Sequence, residues 1–267
     1  MTIRVCVAGA TGWTGSLVTR KILTSNEFQL VGAIARKRSG QDIGEALGLP
    51  KADISIVQTV EEILPTSIEV LIDYTDPTSV KARTLKALDY GIRVVIGTSG
   101  LTAADYAEIG AKAQERKLGV IAAGNFSLTA ALAKHFALLA AKYLPSWEII
   151  DYASAGKTDA PSGTVQELAE ELGQRATNQL EVPIEQTHGR KEARGASIAG
   201  TLVHSLRLPS YTIAFETIFG LPDERLTIRH DSGSGAEPYI NGTLLAVRQV
   251  MQLTGLVRGL DRLLFAS

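Results

Sequence analysis

Lys157 precedes the run Thr-Asp-Ala-Pro-Ser-Gly-Thr164, and that block joins a strand-like stretch, Trp147-Glu-Ile-Ile150, to an amphipathic one with Val165, Leu168, Ala169 and Leu172 on one face. Pro161 and Gly163 suit the turn, and Thr164 with Glu167 has the spacing of a capping box at a helix start. The first N–H groups of a helix have no intrahelical partner, and the helix dipole puts partial positive charge at the same end. A lysine a few residues upstream reaches the same place, so Lys157, Ser162, Gly163 and Thr164 form a candidate seat for the carboxylate of a small substrate. Lys157 is also the candidate proton donor. The plainer alternative is a capped surface helix beside a solvated lysine, and the rest of the chain decides between the two.

A second set of residues stands at the other end of the chain. Ile3–Ala8 is an apolar strand-like run, Gly9-Ala-Thr-Gly12-Trp-Thr-Gly15 follows, and a helical pattern begins at Ser16. Glycines between strand and helix permit a tight turn, close approach of backbone to a pyrophosphate and close helix packing, although the spacing G-x-x-G-x-x-G departs from strict G-x-G-x-x-G. Gly9, Thr11, Gly12, Trp13, Thr14 and Gly15 are therefore candidate dinucleotide contacts. The second strand-like run, 28–35, ends where an acidic residue would hold an adenosine ribose, and here stand Arg36, Lys37 and Arg38. Cations at that point suit a 2′-phosphate, so NADPH is expected in preference to NADH, with NADH a possible substitute.

These residues need a scaffold. Apolar runs at 69–75, 93–97 and 118–123 alternate with helical stretches, the rhythm of a doubly wound, Rossmann-type parallel sheet with ligands at the strands' carboxyl ends. Tyr74 and Thr75, then Gly97, Thr98 and Gly100, then Gly124, Asn125 and Phe126 fall at such ends and complete the expected cofactor contacts. From residue 125 the grammar changes. A long helix from Ser127 to Leu144 and the helix from Thr164 accompany strand-like runs at Trp147–Ser154, Ser197–Arg207, Tyr211–Phe219 and Arg225–Asp231, which give a second α+β domain with a mainly antiparallel sheet. The expected division is 1–124 for the dinucleotide-binding domain and 125–239 for substrate binding and oligomerisation. The last apolar-periodic run, Thr243–Leu264, reads as part of a helix over 240–267 that packs back on the first domain.

Composition narrows the partners. With 267 residues, 21% charged, 45% hydrophobic and a formal net charge of −1, the chain offers no basic stripe for nucleic acid. The single cysteine, Cys6, lies in an apolar run, which excludes disulfides and thiolate metal sites and points to an inert buried thiol. No run is long enough to span a membrane and no signal peptide precedes the first strand, so a cytoplasmic protein without metal is expected.

Taken together, the Gly9–Gly15 loop, Asp73-Tyr-Thr-Asp-Pro77, Gly97-Thr-Ser-Gly100, the junction ending Gly-Asn-Phe-Ser127, the Lys157–Thr164 block and His204-Ser-Leu-Arg207 resemble the dihydrodipicolinate reductase family. The resemblance implies an NAD(P)H-dependent oxidoreductase that reduces 4-hydroxy-tetrahydrodipicolinate on the diaminopimelate route to lysine, and a homotetramer built through the second sheet. It also implies that Lys157 and the Ser162–Thr164 backbone hold a substrate carboxylate. Two positions depart from the pattern: Ala153 and Ser154 stand where the family places a histidine pair, and a basic residue after His230 is missing. Lys157 is then the remaining acid, with Tyr152 as a fallback, while His204 and His230 on strands read as structural. A divergent imine or keto-acid reductase, and a non-catalytic NADPH-binding sensor or assembly protein, are the alternatives. A short-chain dehydrogenase is rejected, because no tyrosine has a lysine four residues on.

Overall fold

Ile3–Ala8 is strand β1 of a computed structural model that describes residues 2–63 and 67–265. In chain order follow α1 (Trp13–Leu23), β2 (Phe28–Ile34), the one-turn α2 (Ile43–Ala46), β3 (Ile56–Val57), β4 (Val70–Asp73), α3 (Val80–Asp89), β5 (Arg93–Ile96), α4 (Ala103–Arg116) and β6 (Gly119–Ala122). Strands β4 to β6 are four-residue runs, apolar apart from Asp73 and Arg93 at their ends, with nearly every residue buried, as strands covered on both faces must be. The six strands pair in parallel in the order β3-β2-β1-β4-β5-β6. Strand order reverses between β1 and β4, so the loops after these two strands border the crevice where such sheets bind ligands. Cys6 on β1 is fully buried and burial pushes its thiol pKa far up, which makes it a packing residue.

The second unit contains α5 (Leu128–Ala140), β7 (Ser146–Ala153), α6 (Gly163–Arg175), two 3-10 turns at 184–186 and 191–194, β8 (Ala196–Ile198), β9 (Thr201–Arg207), β10 (Ile213–Leu221) and β11 (Glu224–Ser232). Its sheet runs β11-β10-β7-β9-β8, antiparallel except for the β7–β9 pair. Trp147, Ile149, Val203, Phe215 and Phe219 pack against Ala137, Leu138, Val165, Leu168 and Leu172 of α5 and α6. Burying each large side chain there contributes about 1.5–3 kcal/mol. The Trp147 indole N–H does not go unpaired, since it donates to Thr201 Oγ1 at 3.0 Å.

The chain ends with α7 (Pro238–Val250), β12 (Gly255–Arg258) and α8 (Asp261–Leu264). By internal contacts the two units are Met1–Leu128 with Ala236–Ser267, and Thr129–Gly235. Three expectations change. The run Thr243–Leu264 is not one helix: Gly255 and Gly259 take φ of +86° and +89°, and the residues from Gly255 to Arg258 instead add a parallel strand beside β6. A short apolar run of this kind fits either period, and only the neighbouring strand edge decides it; the last two residues of the expected helix, 266–267, lie outside the described residues. Ser197–Arg207 is two strands, folded at Ala199 and Gly200, both with positive φ as a tight hairpin turn requires. Lastly, α6 is N-capped by Ser162, which places Thr164 inside the first turn; Glu167 pairs with Lys134 and forms no capping box with Thr164. Among the described residues no helix is long and apolar enough to cross a membrane.

Candidate active site

The glycine loop is shaped by contact distances. Gly9 has φ of +82°, and a Cβ there would lie 2.1 Å from the Tyr74 carbonyl oxygen; a Cβ on Gly15 would lie equally close to the Gly9 carbonyl oxygen. Only glycine lets β1, β4 and α1 meet this closely. Gly12 caps α1 without any side-chain acceptor, so the helix opens with no capping group of its own. Gly9, Thr11, Gly12, Arg36, Lys37, Tyr74 and Thr75 line one groove of about 610 Å³, together with Asp76, Ser79 and Arg83. Arg36 is 85% exposed, with its guanidinium 3.9 Å from Asp76, whereas Arg38 turns aside with φ of +65° and donates to the Ala46 carbonyl.

Beneath the groove lies a polar knot centred on Asp73, which is wholly buried at the end of β4. Its Oδ1 accepts from Thr75 N at 3.0 Å, Thr75 Oγ1 at 2.6 Å and Thr98 Oγ1 at 2.8 Å, and its Oδ2 pairs with Arg83 Nη1 at 2.5 Å. Thr98 thus braces the β4 end from below. Arg83 also donates to Thr75 Oγ1 and Ser79 Oγ, which makes it a groove residue that no motif marked, because it lies in the middle of α3. A second, smaller cavity of about 160 Å³ is lined by Trp13, Thr14, Tyr74, Gly97, Gly124, Asn125 and Phe126, with Tyr239 of α7 added. Gly97 is there because the Tyr74 ring occupies the space of its Cβ. Gly100, with φ of +98°, packs on Pro77 and lines neither cavity.

In the second unit the lysine block is held by a buried carboxylate. Asp151, fully buried on β7, accepts from Ser162 N at 2.9 Å, Ser162 Oγ at 2.7 Å, Ser205 Oγ at 3.3 Å and Arg207 Nη2 at 2.7 Å. Arg207 also donates to the Asp159 carbonyl at 2.7 Å, so one guanidinium ties the strand to the loop that carries Lys157. Lys157 Nζ lies 2.7 Å from Asp159 Oδ1. Burial works against the Asp159 carboxylate, but the hydrogen bond and charge of Lys157 outweigh it and its pKa falls below the usual range. The Ser162 amide, expected to face an anion, is taken by Asp151. At Gly163 the helix start is open, since a Cβ there would meet nothing within 4 Å. Farther along α6, Glu167 and Glu171 close on the buried Lys134 at 2.6 and 2.8 Å, which fixes the helix to α5. Asp151 and Arg207 are site-building residues that sequence reasoning did not assign, although Arg207 stood in the quoted His-Ser-Leu-Arg run.

The remaining donors are engaged elsewhere. Successive strand residues face opposite sides of a sheet, so Tyr152 points away from Asp151. Its hydroxyl donates to Glu216 at 2.7 Å, which engages the fallback donor away from the lysine block, and burial followed by that carboxylate pushes its pKa up to about 12. His204 Nε2 lies 2.7 Å from Glu148, itself paired with Arg194. His230 Nε2 lies 3.0 Å from Thr129 Oγ1, and burial lowers its pKa so that it is held neutral in the core.

Comparison with known proteins covers the whole length. Residues 3–126 match the family described as dihydrodipicolinate reductase, N-terminus, and residues 126–264 its C-terminus counterpart. The chain is 40% identical over 264 residues to the 4-hydroxy-tetrahydrodipicolinate reductase of Moorella thermoacetica, covering 98% of each. It is 39% identical over 269 residues to that of Desulfitobacterium hafniense, again over 98% of each. Among solved structures, the dipicolinate-bound dihydrodipicolinate reductase of Paenisporosarcina sp. TG-14 superposes with a TM-score of 0.83 at 32% identity, over 98% of this chain and 99% of that one.

Proposed function

Since the chain belongs to the dihydrodipicolinate reductase family and is an NAD(P)H-dependent oxidoreductase, we propose that it reduces 4-hydroxy-tetrahydrodipicolinate with NADPH on the diaminopimelate route to lysine. The observation that carries the reading is the pairing, in a chain matched from end to end, of a glycine-lined groove edged by Arg36 and Lys37 with a lysine-bearing helix start fixed by Asp151. Bound NADPH supplies a hydride to the substrate's conjugated C=C–C=N system. Gly9, Thr11 and Gly12 let its pyrophosphate approach the backbone, Gly15 lets α1 pack close behind them, and Trp13, Thr14, Tyr74, Gly97, Asn125 and Phe126 surround the ring end, with Thr75, Thr98, Gly100 and Gly124 shaping the loops between. Lys157 takes a substrate carboxylate in place of Asp159, Gly163 and Thr164 offer the helix start, and Ser162 holds that start in place. The Lys157 ammonium is also the proton source. The protein works in the cytoplasm as a homotetramer, assembled through the face of the second sheet that α5 and α6 leave uncovered.

The reading is tested by mixing the protein with NADPH and 4-hydroxy-tetrahydrodipicolinate and following the absorbance of the reduced nicotinamide. Oxidation on the family substrate supports it. Turnover only on other cyclic imines or keto acids means a divergent reductase, which Ala153 and Ser154 would favour. Binding without turnover on any of them means a sensor. Cofactor choice has its own test. Exchange of Arg36 and Lys37 together for Ala should weaken NADPH about ten- to a hundredfold, the scale of lost charge-assisted hydrogen bonds, and NADH by less than about threefold. Equal losses in a binding titration remove the basis for NADPH.

A further inference from the structure

The small cavity of the first unit has a wall that comes from outside the loops the strand ends provide. Tyr239 belongs to the first turn of α7, more than a hundred residues after the other lining residues, yet it shares the cavity with Trp13, Gly97 and Phe126. Three contacts fix it there. A Cβ on Gly242 would fall 1.9 Å from the Phe126 carbonyl oxygen, so α7 packs its backbone directly on the turn after β6. Thr243 Oγ1 donates to the Tyr239 carbonyl at 2.7 Å, which leaves the Tyr74 hydroxyl, 2.6 Å away, to donate to Thr243. The Tyr239 ring meets Trp13 edge-on at 5.9 Å. The Tyr74 hydroxyl is thereby consumed within the protein, and the Asn125 side-chain oxygen accepts from Ser127 N at 2.8 Å. The Tyr239 hydroxyl has no hydrogen-bond partner among the described residues. Burial raises its pKa, so it is a neutral donor at physiological pH.

A cavity walled by aromatic rings and glycine backbone, with a phenol held at its edge, fits a flat heteroaromatic ring that bears one amide. We propose that Tyr239 is a cofactor-binding residue whose hydroxyl donates to the carboxamide of the nicotinamide ring. The inference rests on the reading that the groove and this cavity hold the two ends of one dinucleotide.

The test compares two ligands that differ only at that ring. Dissociation constants for NADPH and for 2′-phospho-ADP-ribose, which lacks nicotinamide, are measured by calorimetry for the full-length wild type and for Tyr239→Phe. NADH and ADP-ribose form a second pair that does not depend on the 2′-phosphate. The variant keeps the ring and loses one hydrogen bond, so NADPH should weaken about five- to tenfold, the worth of a typical single hydrogen bond. 2′-Phospho-ADP-ribose should be unchanged within about twofold. Equal losses on both ligands would mean that Tyr239 only supports the fold, and no loss on either would mean that the hydroxyl makes no contact; each overturns the proposal while NADPH binding by the wild type still stands. A wild type that binds neither dinucleotide overturns the dinucleotide reading and this inference with it.

Discussion

Lys157→Ala is expected to lower kcat/KM for the substrate at least about a hundredfold and to leave NADPH affinity within about twofold. The first figure follows from what the ammonium does at the helix start. In the proposed reaction it is a charge-assisted donor to a carboxylate and the source of the transferred proton, and removal of one such group commonly costs a factor of about 10² to 10³. The second follows from its place in the structure, since Lys157 lines neither cavity of the cofactor unit. Its present partner sharpens the test. Asp159 competes with any incoming carboxylate at 2.7 Å, so Asp159→Asn should lower KM while Lys157→Ala raises it and lowers kcat as well. Steady-state kinetics of both variants, with a binding titration of NADPH, check this. Turnover of Lys157→Ala within about threefold of the wild type removes the lysine from the chemistry.

How much of this was legible beforehand depended on whether a residue acts locally or across the chain. Gly9 to Gly15 were readable because a strand, three glycines and a helix are consecutive, and their constraint, close backbone approach, is a property of that stretch. The parallel sheet was readable from unbroken apolar runs. Asp151 was not. In sequence it is the polar end of a strand, and its role appears only when Ser162, Ser205 and Arg207, up to 56 positions away, converge on it. Arg83 escaped for the same reason, as one of several cations on a helix until Asp73 is seen beneath it. The misread helix end has a different cause. Thr164 and Glu167 have the spacing of a capping box, but the position was contested by a buried carboxylate that binds Ser162 and by Lys134, which takes Glu167. Local propensity lost to tertiary partners there, and Gly255 to Arg258 was decided likewise by the free edge of β6.

Asp151→Ala should lose about 3–5 kcal/mol of stability and should take the proposed carboxylate seat with it. The magnitude is that of breaking a buried ion pair from one side. The Arg207 side chain, only 15% exposed, would keep its charge without the carboxylate that pairs with Nη2, and the Ser162 amide and hydroxyl would lose their acceptors. Arg207 also holds the Asp159 carbonyl, so the Lys157 loop would loosen as the helix start does. Trp147 makes the loss measurable within its own unit. It is buried on β7, the strand that carries Asp151, and in a Trp13→Phe background it is the only tryptophan left. Urea unfolding followed by its emission should shift its midpoint strongly in Asp151→Ala. The shift should be smaller in Asp151→Ala combined with Arg207→Met, because the second exchange removes the stranded cation. Asp151→Asn separates charge from shape: its single carbonyl oxygen keeps an acceptor for one of the two Ser162 donors but cannot neutralise Arg207, so it should fall between the wild type and Asp151→Ala in both stability and KM. If the double variant is as unstable as the sum of its singles, the pair is not coupled, and Asp151 stabilises the unit through Ser162 and Ser205.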